Sequence, residues 1–164
     1  MLNNEDFYRY AVKRIPRHPP SNRDEDSIDY KFEAEKALLI DNPSVLPVIN
    51  YFRDQFHTYV VYDHIDRGSM RKFLSNPSLP SGVDAKTFLW MIANDLLTGL
   101  KCLHDYKIVH GGIKPENIFF QSSTRVAIGD IGFVKLWNDE TLYNSSHSDN
   151  LFALLLFSIT LLIL

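Results

Sequence analysis

The sequence predicts an α+β chain in which a small β-sheet lobe is followed by a mostly helical lobe. Three observations carry that prediction. The order of candidate elements is strand, helix, two strands and then a helical half, so strands and helices are segregated instead of alternating. The 164 residues are 45% apolar, enough to bury a core. Within residues 84–104, Phe88, Ile92, Leu96 and Leu100 recur at four-residue steps, as one buried face of a long helix requires.

Taken in order, "FYRYAVKRI" (7–15) alternates aromatic or β-branched residues with charged ones, the period of a half-buried strand. "RHPPSNRDEDS" (17–27) is a loop, with paired prolines and mixed charge. "IDYKFEAEKALLI" (28–40) has helical composition and ends at "DNP", because a residue before proline is pushed out of the helical region. "VLPVINYF" and "FHTYVVYDHI" read as two strands joined at "RDQ". A glycine turn in "DRGSMRKFL" enters a short helix, and "SNPSLPSG" is a loop before the long helix. Beside that helix's main stripe lie Leu89, Ala93, Leu97 and Leu103, which widens the face expected to be buried. Two short strands, "NIFF" and "RVAIGD", follow on either side of a "QSST" turn.

Composition excludes some functions. A net charge of -3 and a pI near 6.0, with no local stripe of Lys and Arg, offer nothing to a phosphate backbone, so nucleic acid is not an expected partner. The single cysteine, Cys102, cannot form an internal disulfide, and "MLNNEDFYRY" lacks the basic start and apolar run of a secretory signal, so an intracellular, cytoplasmic setting is expected. "LFALLLFSITLLIL" (151–164) carries no charge. Its 14 residues reach only about 21 Å as a helix against a hydrocarbon core of about 30 Å, so a helix buried in protein, opened by Ser146, Ser148, Asp149 and Asn150, is expected in place of a membrane anchor.

Each remaining motif is weak alone. Lys13 reads as a solvated strand lysine, "GDIG" as a turn, and "HGG" as a tight bend. Their order carries the information. "YAVKRI", a glutamate-bearing helix ending in "NPSVL", "YVVYDHIDRGSM", "IVHGGIKPENIFF" and "IGDIG" together resemble the protein kinase family along nearly the whole chain, with "IKPEN" similar to its serine/threonine branch.

The resemblance implies a two-lobe fold: a partial amino-terminal lobe over 1–64 that begins at the family's third strand, and a partial helical lobe over 65–164. It implies that Lys13 contacts the α- and β-phosphates of ATP, with Glu33 as its helix partner and Glu35 as the competing choice. Tyr62 falls at the gatekeeper position and Asp63 to Ile65 on the hinge that faces adenine. Asn117 and Asp130 match the two oxygen ligands of Mg²⁺, Lys114 the catalytic-loop lysine, and Asp149 the aspartate that ties down that loop.

The departures are as specific as the matches. Where the family has His-Arg-Asp, this chain has His110, Gly111 and Gly112, so the carboxylate that accepts or orients the substrate hydroxyl is missing. None of the twelve residues before Lys13 is glycine, so no glycine-rich loop is read there; Ile131 replaces the phenylalanine of Asp-Phe-Gly, and no Ala-Pro-Glu follows. The expectation is a catalytically impaired pseudokinase that acts as a scaffold for protein partners, with ATP and Mg²⁺ bound weakly or not at all. A non-functional kinase fragment and a serine/threonine kinase with residual activity are the alternatives. Thr141, Tyr143, Ser145 and Ser146 are expected to be open to phosphorylation by another kinase.

Overall fold

Alternation of solvent-facing and core-facing side chains builds the first sheet. A computed structural model describes residues 9–16, 35–108 and 110–131. Strands β1 (Tyr10–Pro16), β2 (Val48–Arg53) and β3 (His57–Asp63) form an antiparallel sheet in the order β1-β3-β2. On β3, Thr58, Val60 and Tyr62 point into the core while their neighbours do not, which fixes the register, since a slip by one residue would turn Val60 out to solvent. β1 pairs with β3 from Tyr10↔Asp63 to Pro16↔His57, and β2 pairs with a bulge between Val48 and Asn50. Residues 35–38 are helical and contribute Ala37 to the core, whereas the rest of the helix expected over 28–40, Glu33 included, lies outside the described residues.

The helical part begins at α1 (Met70–Ser75) and continues with α2 (Ala85–Asp105). Asp84 caps α2, accepting a hydrogen bond from the Thr87 backbone N–H at 3.0 Å. Its other end closes without glycine. Lys107 takes the left-handed conformation at φ 58°, and the backbone N–H groups of Lys107 and Ile108 donate to the carbonyls of His104 and Leu103, both at 2.9 Å, which satisfies two otherwise orphaned carbonyls.

Phe88, Ile92, Leu96, Leu100 and Leu103 are buried as their spacing predicts. Leu97 is not: it is 55% exposed. At about 100° per residue it sits roughly opposite Phe88, outside the buried arc, so apolar character alone misplaced it. That arc also contains a charge. Asp95 is only 3% exposed, and its carboxylate accepts from the Arg125 guanidinium and the Val126 backbone N–H, both at 3.0 Å.

A hairpin of β4 (Ile118–Phe120) and β5 (Val126–Ile128) lies on α2, and two backbone junctions attach it to the segments flanking the sheet. Before β2, the Leu46 N–H donates to the Ile128 carbonyl at 2.8 Å and the Ile128 N–H to the Ser44 carbonyl at 2.9 Å. After β3, the Phe120 N–H donates to the Gly68 carbonyl at 3.0 Å. Gly99 lets α2 approach the first junction, since a Cβ there would stand 2.5 Å from the Ser44 carbonyl oxygen. Asp149, the hydroxyls of the 141–146 segment and the apolar run 151–164 lie outside the described residues. Among the described residues no helix is long and apolar enough to cross a membrane.

Candidate functional site

The chain between α2 and β5 gathers the motif residues through its own backbone. A 3-10 turn, Pro115–Asn117, follows Lys114, and proline at its first position suits the fixed φ that such a turn needs. The Gly129 N–H donates to the Asn117 carbonyl at 2.8 Å, so the β4–β5 hairpin returns the chain, and with it Asp130, to Asn117. The Asn117 side chain is buried, and its amide nitrogen donates to the Gly112 carbonyl at 2.9 Å. Because the amide nitrogen is used there, the side-chain oxygen remains as the atom able to meet a cation.

His110 is fully buried and wired at both ring nitrogens. Nδ1 accepts from the Gly112 backbone N–H at 3.2 Å, which leaves the proton on Nε2, 3.0 Å from the Gly129 carbonyl. Burial pushes its pKa below the ordinary value, with the Gly129 hydrogen bond opposing that shift, so the ring is held neutral. It therefore holds the loop's shape and has no free lone pair to act as a base.

Lys13, on β1, reaches Asp130, just past β5: Nζ and Oδ1 are 2.5 Å apart, with both side chains about one-third exposed. Asp130 adopts a left-handed backbone at φ 56°, a strained conformation for a residue with a Cβ that costs on the order of 1 kcal/mol and is characteristic of functional sites. Tyr62, on β3, is buried near enough to Asp130 to feel its charge. It is 5% exposed, and its hydroxyl has no hydrogen-bond partner among the described residues. Burial, and secondarily the Asp130 charge, push the phenol well above its ordinary pKa. Asp63 is exposed at the end of β3 and Ile65 is half-buried against the core; between them the His64 N–H donates to the Arg9 carbonyl at 3.3 Å.

The two glycines of the loop differ physically. Gly111 is left-handed at φ 64°, a conformation that disfavours a side chain. Gly112 is not, and a Cβ added there would meet only Asn117 Nδ2 at 3.8 Å and His110 Nδ1 at 3.9 Å, ordinary contacts. The fold has room for a side chain at position 112. Lys114 is exposed beside it, and Glu116 is bound to Arg71 at 2.8 Å. Ile131 is buried in the common core.

Thus Lys13 and Asp130 are in contact, and Asn117, Gly112, His110 and Gly129 form one hydrogen-bonded set. Glu33 lies outside the described residues; Glu35 accepts from the Tyr51 hydroxyl at 3.3 Å. The Lys13–Asp130 pairing was missed in the sequence reading because 117 positions separate the two residues and nothing local links them. The buried wiring of His110 was missed for the same reason. Among the described residues no three His, Cys, Asp or Glu side chains cluster as a metal centre. Asn117 and Asp130 do offer the hard oxygens that suit Mg²⁺ when phosphate oxygens complete its shell.

Comparison with known proteins agrees with this geometry. Residues 1–153 match the family model described as the protein kinase domain. The chain is 30% identical over 101 residues to the serine/threonine-protein kinase PLK4 of Xenopus tropicalis, covering 61% of this chain and 10% of that protein. It is 27% identical over 129 residues to the serine/threonine-protein kinase gad8 of Schizosaccharomyces pombe, covering 77% of this chain and 21% of that one. Its fold is similar to a crystal structure of Rad53 in complex with AMP-PNP, with a TM-score of 0.68, 18% identity, and coverage of 88% of this chain and 38% of that one. The chain belongs to the protein kinase family. It spans only about a tenth and about a fifth of the length of these two curated relatives.

Proposed function

We propose that this chain is a catalytically silent kinase-like module, a pseudokinase that acts by binding a protein partner and holds ATP weakly, with Mg²⁺. The observation that carries the reading is Gly112, at the position of the family's catalytic carboxylate. Losing a positioned base typically costs about 10² to 10⁴ in rate. Among the described residues the surroundings supply no substitute. His110 is buried and neutral with both nitrogens engaged, Asp130 is occupied by Lys13, and Glu116 is bound to Arg71. In this reading the sheet of the 1–64 lobe and the helices of the 65–164 lobe remain a scaffold whose junction is the hinge at Asp63 to Ile65.

Weak nucleotide binding is supported by the groups that remain. Lys13 would meet phosphate oxygens, and the side-chain oxygens of Asn117 and Asp130 would hold Mg²⁺, which would screen phosphate charge when bound. Tyr62 fills the rear of the site and limits its depth. Calorimetric titration with ATP tests this: weak heats that require Mg²⁺ and vanish in Asp130→Asn are expected, and a tight metal-independent complex would contradict the reading.

The same groups favour a second reading, a serine/threonine kinase with residual transfer, because phosphoryl transfer depends chiefly on positioning and electrostatics. ATP turnover by the wild type that falls in both Asp130→Asn and Asn117→Ala would select it.

A further inference from the structure

A groove of about 560 Å³ lies between α1, the loop that follows it and the turn joining β4 to β5, and none of the candidate nucleotide residues lines it. Its apolar lining is Phe73 and Phe120, with ring centroids 5.2 Å apart, together with Leu79 and Pro80. Its two ionisable lining groups are both cations, Arg67 and Lys72, and no lining residue is acidic.

Arg67 and Lys72 are both exposed. Among the described residues neither makes an ion pair, and nearby carboxylates are already engaged: Asp66 with Arg9 at 2.5 Å and Glu116 with Arg71 at 2.8 Å. The Lys72 side chain passes over Gly68. Gly68, at φ 83°, has no side chain, and the Lys72 chain lies where one would be, its Cδ 2.9 Å and its Nζ 3.8 Å from that Cβ position. The same glycine's carbonyl accepts from the Phe120 backbone N–H at 3.0 Å, which joins this segment to the groove's aromatic floor. The local positive charge occurs in a chain whose net charge is -3, so it is a property of this face and not of a generally basic protein.

We propose that this groove is a docking site for an extended acidic segment of a partner protein, with apolar side chains over Phe73, Phe120, Leu79 and Pro80 and carboxylates at Arg67 and Lys72. Charge complementarity selects the partner's sign, and the apolar floor between the cations excludes a purely electrostatic contact. The inference deepens the partner-binding reading above. It is read out without nucleotide or phosphoryl transfer, so either can fail without the other.

The test uses the full chain and two labelled peptides that share a leucine and a phenylalanine two positions apart, one flanked by glutamates and the other by lysines. Fluorescence anisotropy is expected to show saturable, salt-sensitive binding of the glutamate peptide only. Binding should weaken by about tenfold or more in Arg67→Glu/Lys72→Glu, and that variant should now bind the lysine peptide. Leu79→Ser should weaken the glutamate peptide without reversing the charge preference. Arg67, Lys72 and Leu79 are exposed, so unchanged thermal transitions are expected. Equal binding of both peptides, wild-type affinity in the charge-reversed protein, or no saturable binding of the glutamate peptide would overturn the proposal.

Discussion

Gly112 follows Gly111, which its backbone constrains, and is hydrogen-bonded to a buried histidine that cannot replace a carboxylate. Gly112→Asp should therefore fold with a stability within about 0.5 kcal/mol of wild type, whereas Gly111→Ala, forced to a positive φ, should lose roughly 1 kcal/mol; urea unfolding distinguishes them. Tyr62 carries a buried hydroxyl with no partner among the described residues, so Tyr62→Phe should be neutral or stabilise by up to about 1 kcal/mol in the same experiment. His110 sets a pH dependence. Its folded pKa is depressed below the ordinary 6.5, so the folded state prefers the neutral ring. Its contribution is complete above that value and declines as pH falls from about 6.5 toward the lowered folded pKa, below which it levels off. Thermal unfolding followed from neutral to mildly acidic pH, with the His110 ring titrated by NMR, should show stability falling while the ring stays unprotonated below its ordinary midpoint.

At the scale of elements, much was legible because it depends on local pattern. The α2 stripe and the strand–turn–strand order of β2, β3, β4 and β5 follow from spacing and turn residues. Lys114, Asn117 and Asp130 were singled out through one short motif and its partner downstream, and the Gly129 N–H bond to the Asn117 carbonyl brings Asp130 back beside Asn117. What was not legible depends on contacts distant in sequence. Asp95 interrupts an apolar arc, and only the structure shows that it binds Arg125 and Val126. Asp95→Ala leaves a buried backbone N–H without its acceptor, and should cost about 2–4 kcal/mol by denaturant unfolding. Leu97 erred in the opposite direction, an apolar residue just beyond the buried arc. Lys107 offers a gain: glycine removes the penalty of its φ of 58°, and Lys107→Gly should stabilise by about 0.5–1 kcal/mol.

For the whole molecule, the described residues keep a partial kinase fold, and the proposed loss of catalysis rests chiefly on Gly112. Lys13 and Asp130 join β1 to the end of the β4–β5 hairpin, yet both are about one-third exposed, so Lys13→Ala should change stability by no more than about 1 kcal/mol. That makes Lys13→Ala a usable control for activity, because it removes the proposed phosphate contact without unfolding the protein. The decisive measurement is transfer of labelled γ-phosphate from ATP to a serine/threonine peptide by the wild-type protein and by Lys13→Ala, side by side. The account predicts that the two are indistinguishable from background. Transfer by the wild type that Lys13→Ala abolishes would contradict it.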